Sequence, residues 1–278
     1  MSYAHCYNGK EKSELYAKHR PPYPDIVAEA IMNYLRSKKS DGKNGKLKKM
    51  LDVGCGGGQS IYIFTPYFES ILGIDISDSQ IEYANKHNSN KNVEFRIVRD
   101  NVFPVGDNSV DLIICASAVH WLDLATFETE CHRVLKPGGY CAIYAYCPSF
   151  VRKINEPQSK RASIVEIEKQ YHRNMGSQDL ILDVFGQYDI IYDRLKSNTK
   201  ERIEGLEFEV ENTLIQYKNL FKTVAKYLEY LNLGLGEENA PIQALGSHVK
   251  RILDMNDLPD DEVKFILTYT YPTIMFRK

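Results

Sequence analysis

The stretch Leu51-Asp52-Val53-Gly54-Cys55-Gly56-Gly57-Gly58, with Asp75 seventeen residues past its last glycine at the end of Leu72-Gly73-Ile74-Asp75, constrains this chain more than any other. A short apolar strand that runs into a glycine loop lets a nucleotide-like ligand approach the main chain, because no Cβ stands between them. An acid closing the next strand is placed to accept hydrogen bonds from both hydroxyls of a ribose. The glycines follow Asp-x-Gly-x-Gly-x-Gly, with Gln59 and Ser60 after Gly58. They therefore lack the Gly-x-Gly-x-x-Gly spacing that sets a pyrophosphate on a helix N-terminus. The ligand this implies has a ribose and no phosphate, which counts against a nicotinamide-dependent reductase.

Around that loop the pattern alternates. Strand-like runs at 50–53, 70–75, 93–98, 110–115 and 140–146 are separated by helix-like runs at 61–68, 80–86 and 127–135. Such alternation predicts a parallel sheet with crossover helices on both faces. Ser77-Asp78-Ser79-Gln80 fits a reciprocal capping box, which sets Asp75 at the carboxyl end of its strand, the edge where open α/β sheets bind ligands. Upstream, 16–24 reads as an extended, proline-stiffened arm, 25–35 as a helix, and the charged run 37–49 as a solvated linker. After Pro148 the alternation stops, and 148–256 reads as a mostly helical cap. The segments 202–212 and 263–277 look like further strands, Pro272 marking an edge, a bulge or a break.

Composition removes several function classes. A chain of 278 residues with a formal net charge of -2 lacks the basic excess of a polyanion binder, which disfavours a nucleic-acid partner. No window approaches twenty apolar residues, and the start Met1-Ser2-Tyr3-Ala4-His5-Cys6 has neither the basic end nor the apolar run of a secretory signal. The expectation is a soluble cytoplasmic protein without a membrane partner. Cysteines at 6, 55, 115, 131, 141 and 147 show no metal-ligand spacing, so no metal is expected. Nothing in the sequence indicates an oligomeric state.

Asp52 falls at a position that should be buried, where a carboxylate needs donors around it. Asp100-Asn101 follows the third strand, and its side chains can pair with an adenine amino group or ring nitrogen. The fourth strand leaves through Cys115-Ala116-Ser117-Ala118-Val119-His120-Trp121-Leu122, without the Asn/Asp-Pro-Pro-aromatic exit of nucleobase N-methyltransferases.

The glycine loop, Asp75, this exit, Arg20-Pro21-Pro22-Tyr23-Pro24 and His132-Arg133-Val134-Leu135-Lys136-Pro137-Gly138-Gly139 together resemble the class I S-adenosylmethionine-dependent methyltransferases, and among them the small-molecule enzymes of the trans-aconitate methyltransferase type. The resemblance spans 16–146 and is weak beyond Pro148. It implies a Rossmann-like α/β fold with seven mostly parallel strands and a helical cap. The chain would be one domain over 1–278, its core at about 46–147 completed by strands at about 202–212 and 263–277, capped by the arm 1–35 and by 148–256. The cofactor implied is S-adenosyl-L-methionine, with S-adenosyl-L-homocysteine as product. Tyr16, Arg20, Asp52, Gly54, Cys55, Gly56, Gly58, Asp75, Ile76, Asp100, Asn101 and Ala116 would hold it. His120 and Trp121 would position a small-molecule acceptor, methylated on a carboxylate or hydroxyl oxygen. Two other readings stay open: a cofactor-binding protein without turnover that acts as a sensor or partner-binding protein, and a methyltransferase of tRNA or protein.

Overall fold

The computed structural model describes residues 9–38, 45–177, 179–224, 227, 229–230 and 241–278. Five strands run in parallel: β1 (Leu47–Val53), β2 (Phe68–Asp75), β3 (Val93–Ile97), β4 (Val110–Ala116) and β5 (Leu135–Tyr144). Later in the chain come β6 (Cys147–Arg152), β7 (Ala162–Ser163), β8 (Glu201–Ile203), β9 (Glu207–Thr213), β10 (Lys264–Thr270) and β11 (Thr273–Arg277). The main sheet has seven strands in the order β3-β2-β1-β4-β5-β11-β8, and β11 runs antiparallel to both neighbours. This is the Rossmann-like, mostly parallel sheet expected from the sequence.

Strand alternation splits the core into two layers, since successive side chains point to opposite faces. Met50, Leu112, Ala142 and Met275 join the cluster on one face, whereas Leu51, Ile113, Cys141 and Ile274 join that on the other. Helix α1 (Lys10–His19) is followed by α2 (Asp25–Ser37), which lays Val27, Ile31 and Leu35 on the first face. After α3 (Asp78–His87), α4 (Leu124–Val134) puts Phe127, Cys131 and Val134 on the second. Among the described residues no helix is long and apolar enough to cross a membrane.

Several expectations need correction. Residues 16–19 are not part of an extended arm. They close α1, and the chain turns extended only at Arg20, which precedes Pro21 and is thereby pushed out of helical geometry. The 61–68 run is not an α-helix but a 3-10 turn at Tyr62–Phe64, because β-branched Ile61, Ile63 and Thr65 lead directly into Pro66, which lacks the donor a helix needs. Ser77 does cap α3, its hydroxyl accepting from the Gln80 amide at 3.4 Å, but the Gln80 side chain does not return the bond.

The cap is not purely helical either. Its helices are α5 (Val165–Asn174), α6 (Asp179–Leu182), α7 (Asp189–Arg194), α8 (Leu214–Lys222) and α9 (Pro241–Ile252). Between them lies a four-stranded antiparallel sheet in the order β7-β6-β10-β9. The segment 202–212 is therefore divided, β8 completing the main sheet and β9 belonging to the second; 263–277 divides likewise into β10 and β11. Pro272 is the break between them. The helix expected over 219–231 begins as part of α8, which ends at Lys222, and 227, 229 and 230 are helical again; 225, 226, 228 and 231 lie outside the described residues, as do 1–8 and 39–44.

Three short links carry the chain between the two sheets: Ala145-Tyr146 from β5 to β6, Glu204-Gly205-Leu206 from β8 to β9, and Tyr271-Pro272 from β10 to β11. They are tied to one another, Tyr271 N donating to Leu206 O at 2.9 Å and Ala145 N to Pro272 O at 3.3 Å.

Candidate active site

The carboxyl ends of β1, β2 and β4 open into a cavity of about 470 Å³, roofed by α1 and the cap helices. Its first half is built from main chain. Gly54 and Cys55 amides donate to Ile74 O at 2.9 and 3.0 Å, which pins the loop to the end of β2. Gly54 has φ +74°, and a Cβ there would stand 2.6 Å from the Ala118 Cβ, so only glycine lets the loop pass the β4 exit this closely. Asp75 then braces the loop from the side, its Oδ2 accepting from the Gly56 amide and its Oδ1 from the Ser77 amide, each at 2.8 Å. Each carboxylate oxygen keeps a further lone pair, and Asp75 lines the cavity. Burial raises its pKa, opposed by those amides.

The cavity collects Tyr16, Arg20, Gly54, Cys55, Gly56, Asp75, Ile76, Asp100, Asn101 and Ala116 from the predicted cofactor set, and both His120 and Trp121. Asp52 and Gly58 are not among its lining residues. Asp52 is fully buried beneath the loop, where Ser60, which does line the cavity, donates to its Oδ2 at 2.5 Å. Burial lifts the Asp52 pKa to about 7; the Asp75 charge adds to this and the Ser60 hydroxyl opposes it. Gly58 faces inward, and a Cβ on it would meet the Phe95 ring at 2.7 Å. Its role is packing. Cys55 is equally structural, since burial pushes its thiol well above the ordinary range and leaves little thiolate.

An adenosyl group suits this half. Gly56 faces open space on its Cα side, with only the ends of Gln59 and Gln80 at 3.8 Å from an added Cβ. The buried Gln59 Nε2 and Gln80 Oε1 have no protein partner among the described residues, and both side chains line the cavity. Ile76, Val98, Phe103 and Leu122 offer apolar walls beside Asp100 and Asn101. A carboxylate-braced loop has no cation to offer a pyrophosphate.

The second half is built from side chains. Arg20 stacks on Tyr16 at 4.7 Å and donates to the Tyr146 hydroxyl and, at 3.3 Å, to Thr223 O. Opposite, α5 contributes Glu168 and His172, one turn apart on a single face. Glu168 is fully buried, its Oε1 accepting from the Tyr217 hydroxyl, and its pKa is pushed far up by burial. Burial lowers His172 to about 4, with Arg20 adding to the effect. His120 sits in a 3-10 turn at Val119–Trp121, its pKa lowered to about 3 by burial first and then by Arg20 and His172. Its Nδ1 lies 3.1 Å from the Tyr188 hydroxyl. Ser117, just before the turn, holds φ +51° and bonds Tyr23 through their hydroxyls at 2.9 Å. Glu168, His172, Tyr188 and Tyr146 were not singled out from the sequence. Only the i, i+4 spacing of Glu168 and His172 could have hinted at a shared face.

Residues 51–143 match the family described as "Methyltransferase domain". That stretch, from the glycine loop through β5, is similar to a methyltransferase domain. A methyltransferase of Dictyostelium discoideum is 31% identical over 166 residues, covering 60% of this chain and 57% of the relative. The CRG1 protein of Saccharomyces cerevisiae, named for S-adenosylmethionine-dependent methyl transfer, is 28% identical over 150 residues, covering 52% and 49%. The chain thus spans about half the length of the curated relatives it matches. A solved type II methyltransferase structure from Anaeromyxobacter dehalogenans superposes with a TM-score of 0.64 at 20% identity, over 93% of this chain and 97% of that one, which shows a common fold.

Proposed function

We propose that this methyltransferase moves the methyl group of S-adenosylmethionine to a carboxylate or hydroxyl oxygen of a small molecule. The observation that carries the reading is the single cavity joining the Asp75 crevice to a walled compartment of apolar and aromatic side chains. Concave, largely apolar space with a few polar groups suits a small ligand. In this reading Asp75 holds the ribose diol, Gly56 lets the ligand meet the main chain, Asp100 or Asn101 meets the adenine, and Arg20 meets the methionine carboxylate. When bound, S-adenosylmethionine supplies an electrophilic methyl carbon on a sulfonium. The protein's work is to align the acceptor oxygen with that carbon and exclude competing water. His120 and Trp121 wall the transfer point, and the imidazole is neutral at physiological pH.

The charge pattern supports a small acceptor over tRNA or protein. The basic run at 152–161 offers no open cationic cleft, since Arg152 pairs with Glu209 at 2.7 Å and Arg161 with Glu207 at 2.5 Å. The test is isothermal titration with S-adenosylhomocysteine, followed by transfer of labelled methyl to a panel of small carboxylates and phenols. Binding with turnover of a panel member is expected. A folded protein that gives no heat would sink the reading, and binding without any turnover would favour a sensor.

A further inference from the structure

The strongest unexplained backbone feature lies beside the cavity. Gln187 and Tyr188 are consecutive non-glycine residues in the left-handed region, at φ +58° and +59°. Such conformations are strained for residues with a Cβ and persist only where the surroundings over-determine them. Here they do. Asp183 accepts from the Ile190 and Ile191 amides at 2.9 and 2.8 Å and, through its carbonyl, from the Tyr188 amide at 2.8 Å. Arg202 clamps the same turn from outside, donating to Gln187 O, to Tyr188 O at 3.4 Å and to the Asp189 carboxylate at 2.8 Å. The outcome of this bracing is one fully buried phenol delivered to His120 Nδ1.

We infer that Tyr188 is a positioning residue that fixes His120 as an Nε2–H donor toward the transfer point. The inference rests on the proposed methyl-transfer reading for the meaning of that point. A phenol is a donor as well as an acceptor, and among the described residues the Tyr188 hydroxyl has no other acceptor than His120 Nδ1. Its proton therefore lies on the line to Nδ1, which must be the bare nitrogen of the neutral ring, and Nε2 carries the hydrogen. Arg20 and His172, the charged and titratable groups that face the imidazole, oppose a second proton on it. So His120 is not a base. It offers a hydrogen bond to an oxygen that arrives already deprotonated, and its fixed N–H would hold that oxygen's lone pair in place.

The experiment is long-range 1H–15N correlation on the full chain with 15N-histidine, saturated with S-adenosylhomocysteine, with His120 assigned by its loss in His120→Gln. Wild type should show an Nε2–H imidazole whose bare Nδ1 is shifted by hydrogen bonding. In Tyr188→Phe that Nδ1 signal should move to the position of an unbonded ring nitrogen, while the affinity for S-adenosylhomocysteine stays within about twofold. An Nδ1–H ring in wild type, or an Nδ1 signal unmoved by Tyr188→Phe, overturns the inference. Should Tyr188→Phe not fold, Arg202→Ala loosens the same turn from the surface and must move the signal in the same direction. Failure of the methyl-transfer reading is separate: it appears as absent S-adenosylhomocysteine binding, with the tautomer still readable in the free protein.

Discussion

The two halves of the cavity are made in different ways. At the Asp75 end, position is set by main chain: strand ends, left-handed glycines and two amides on a carboxylate. At the α5 end it is set by side chains from three separate segments, with Glu168, His172, Tyr188 and Arg20 held by packing and by bonds across long sequence distances. A main-chain site tolerates drift in everything but its glycines and its acid. A side-chain site can change its occupant with one substitution.

The largest expected effect tests the first half. In the proposed binding mode Asp75→Ala removes an acceptor for two ribose hydroxyls, at about 1.5–3 kcal/mol each, so S-adenosylhomocysteine binding by calorimetry should weaken by about a hundredfold or more. A loss below tenfold would show that the diol is held elsewhere. Gly58→Ala comes next and should separate packing from binding. Its Cβ would need φ +88° and would press on the Phe95 ring, costing about 2–3 kcal/mol in urea unfolding. Affinity in the folded fraction should stay close to wild type; a loss like that of Asp75→Ala would put Gly58 back against the ligand.

A smaller effect follows from Asp52. Its folded pKa of about 7 lies above the ordinary 3.8, so the native state holds a proton that the unfolded chain releases. Stability from this group is present at low pH and falls as pH rises through that window, by at most about 1.4 kcal/mol per pH unit. Urea unfolding should show this slope in wild type and a flatter one in Asp52→Asn. Equal slopes would mean that Asp52 is ionised in the fold. The smallest effect is a null. With His120 lowered to about 3 from 6.5, the native ring is neutral across the physiological range. Profiles of S-adenosylhomocysteine affinity against pH should superimpose for wild type and His120→Gln above about pH 6, and a step near the ordinary histidine value would contradict the half-buried, neutral ring.

The same contrast explains what the sequence disclosed. Gly54, Gly56 and Asp75 announce themselves because the loop geometry admits no substitute, and the alternation from 50 to 146 follows from strands buried on both faces. Glu168 and His172 stay hidden because Val165-Glu166-Ile167-Glu168-Lys169-Gln170-Tyr171-His172 reads as a polar surface helix, whereas the fold buries the Glu168–His172 face. Gly58 shows the opposite limit: its place in the motif points to a ligand, and nothing local announces that its Cα packs against the Phe95 ring from β3. Strand β9 alternates legibly, yet no periodicity says which sheet a strand will join. That choice is made by β10, some fifty residues later in the chain.

The three linked crossovers between the sheets limit how the molecule can breathe. Two-residue and three-residue joints, one of them containing proline and all of them bonded sideways, give the β-structure a welded corner with no axis to turn about. Opening for ligand exchange must then fall to the parts that lie over the cavity without being woven into either sheet, α1 with Arg20 on one side and α5 and α8 on the other. Tyr146 belongs to both descriptions. It lies within one joint and accepts from Arg20, so it is the doorpost against which the moving side closes.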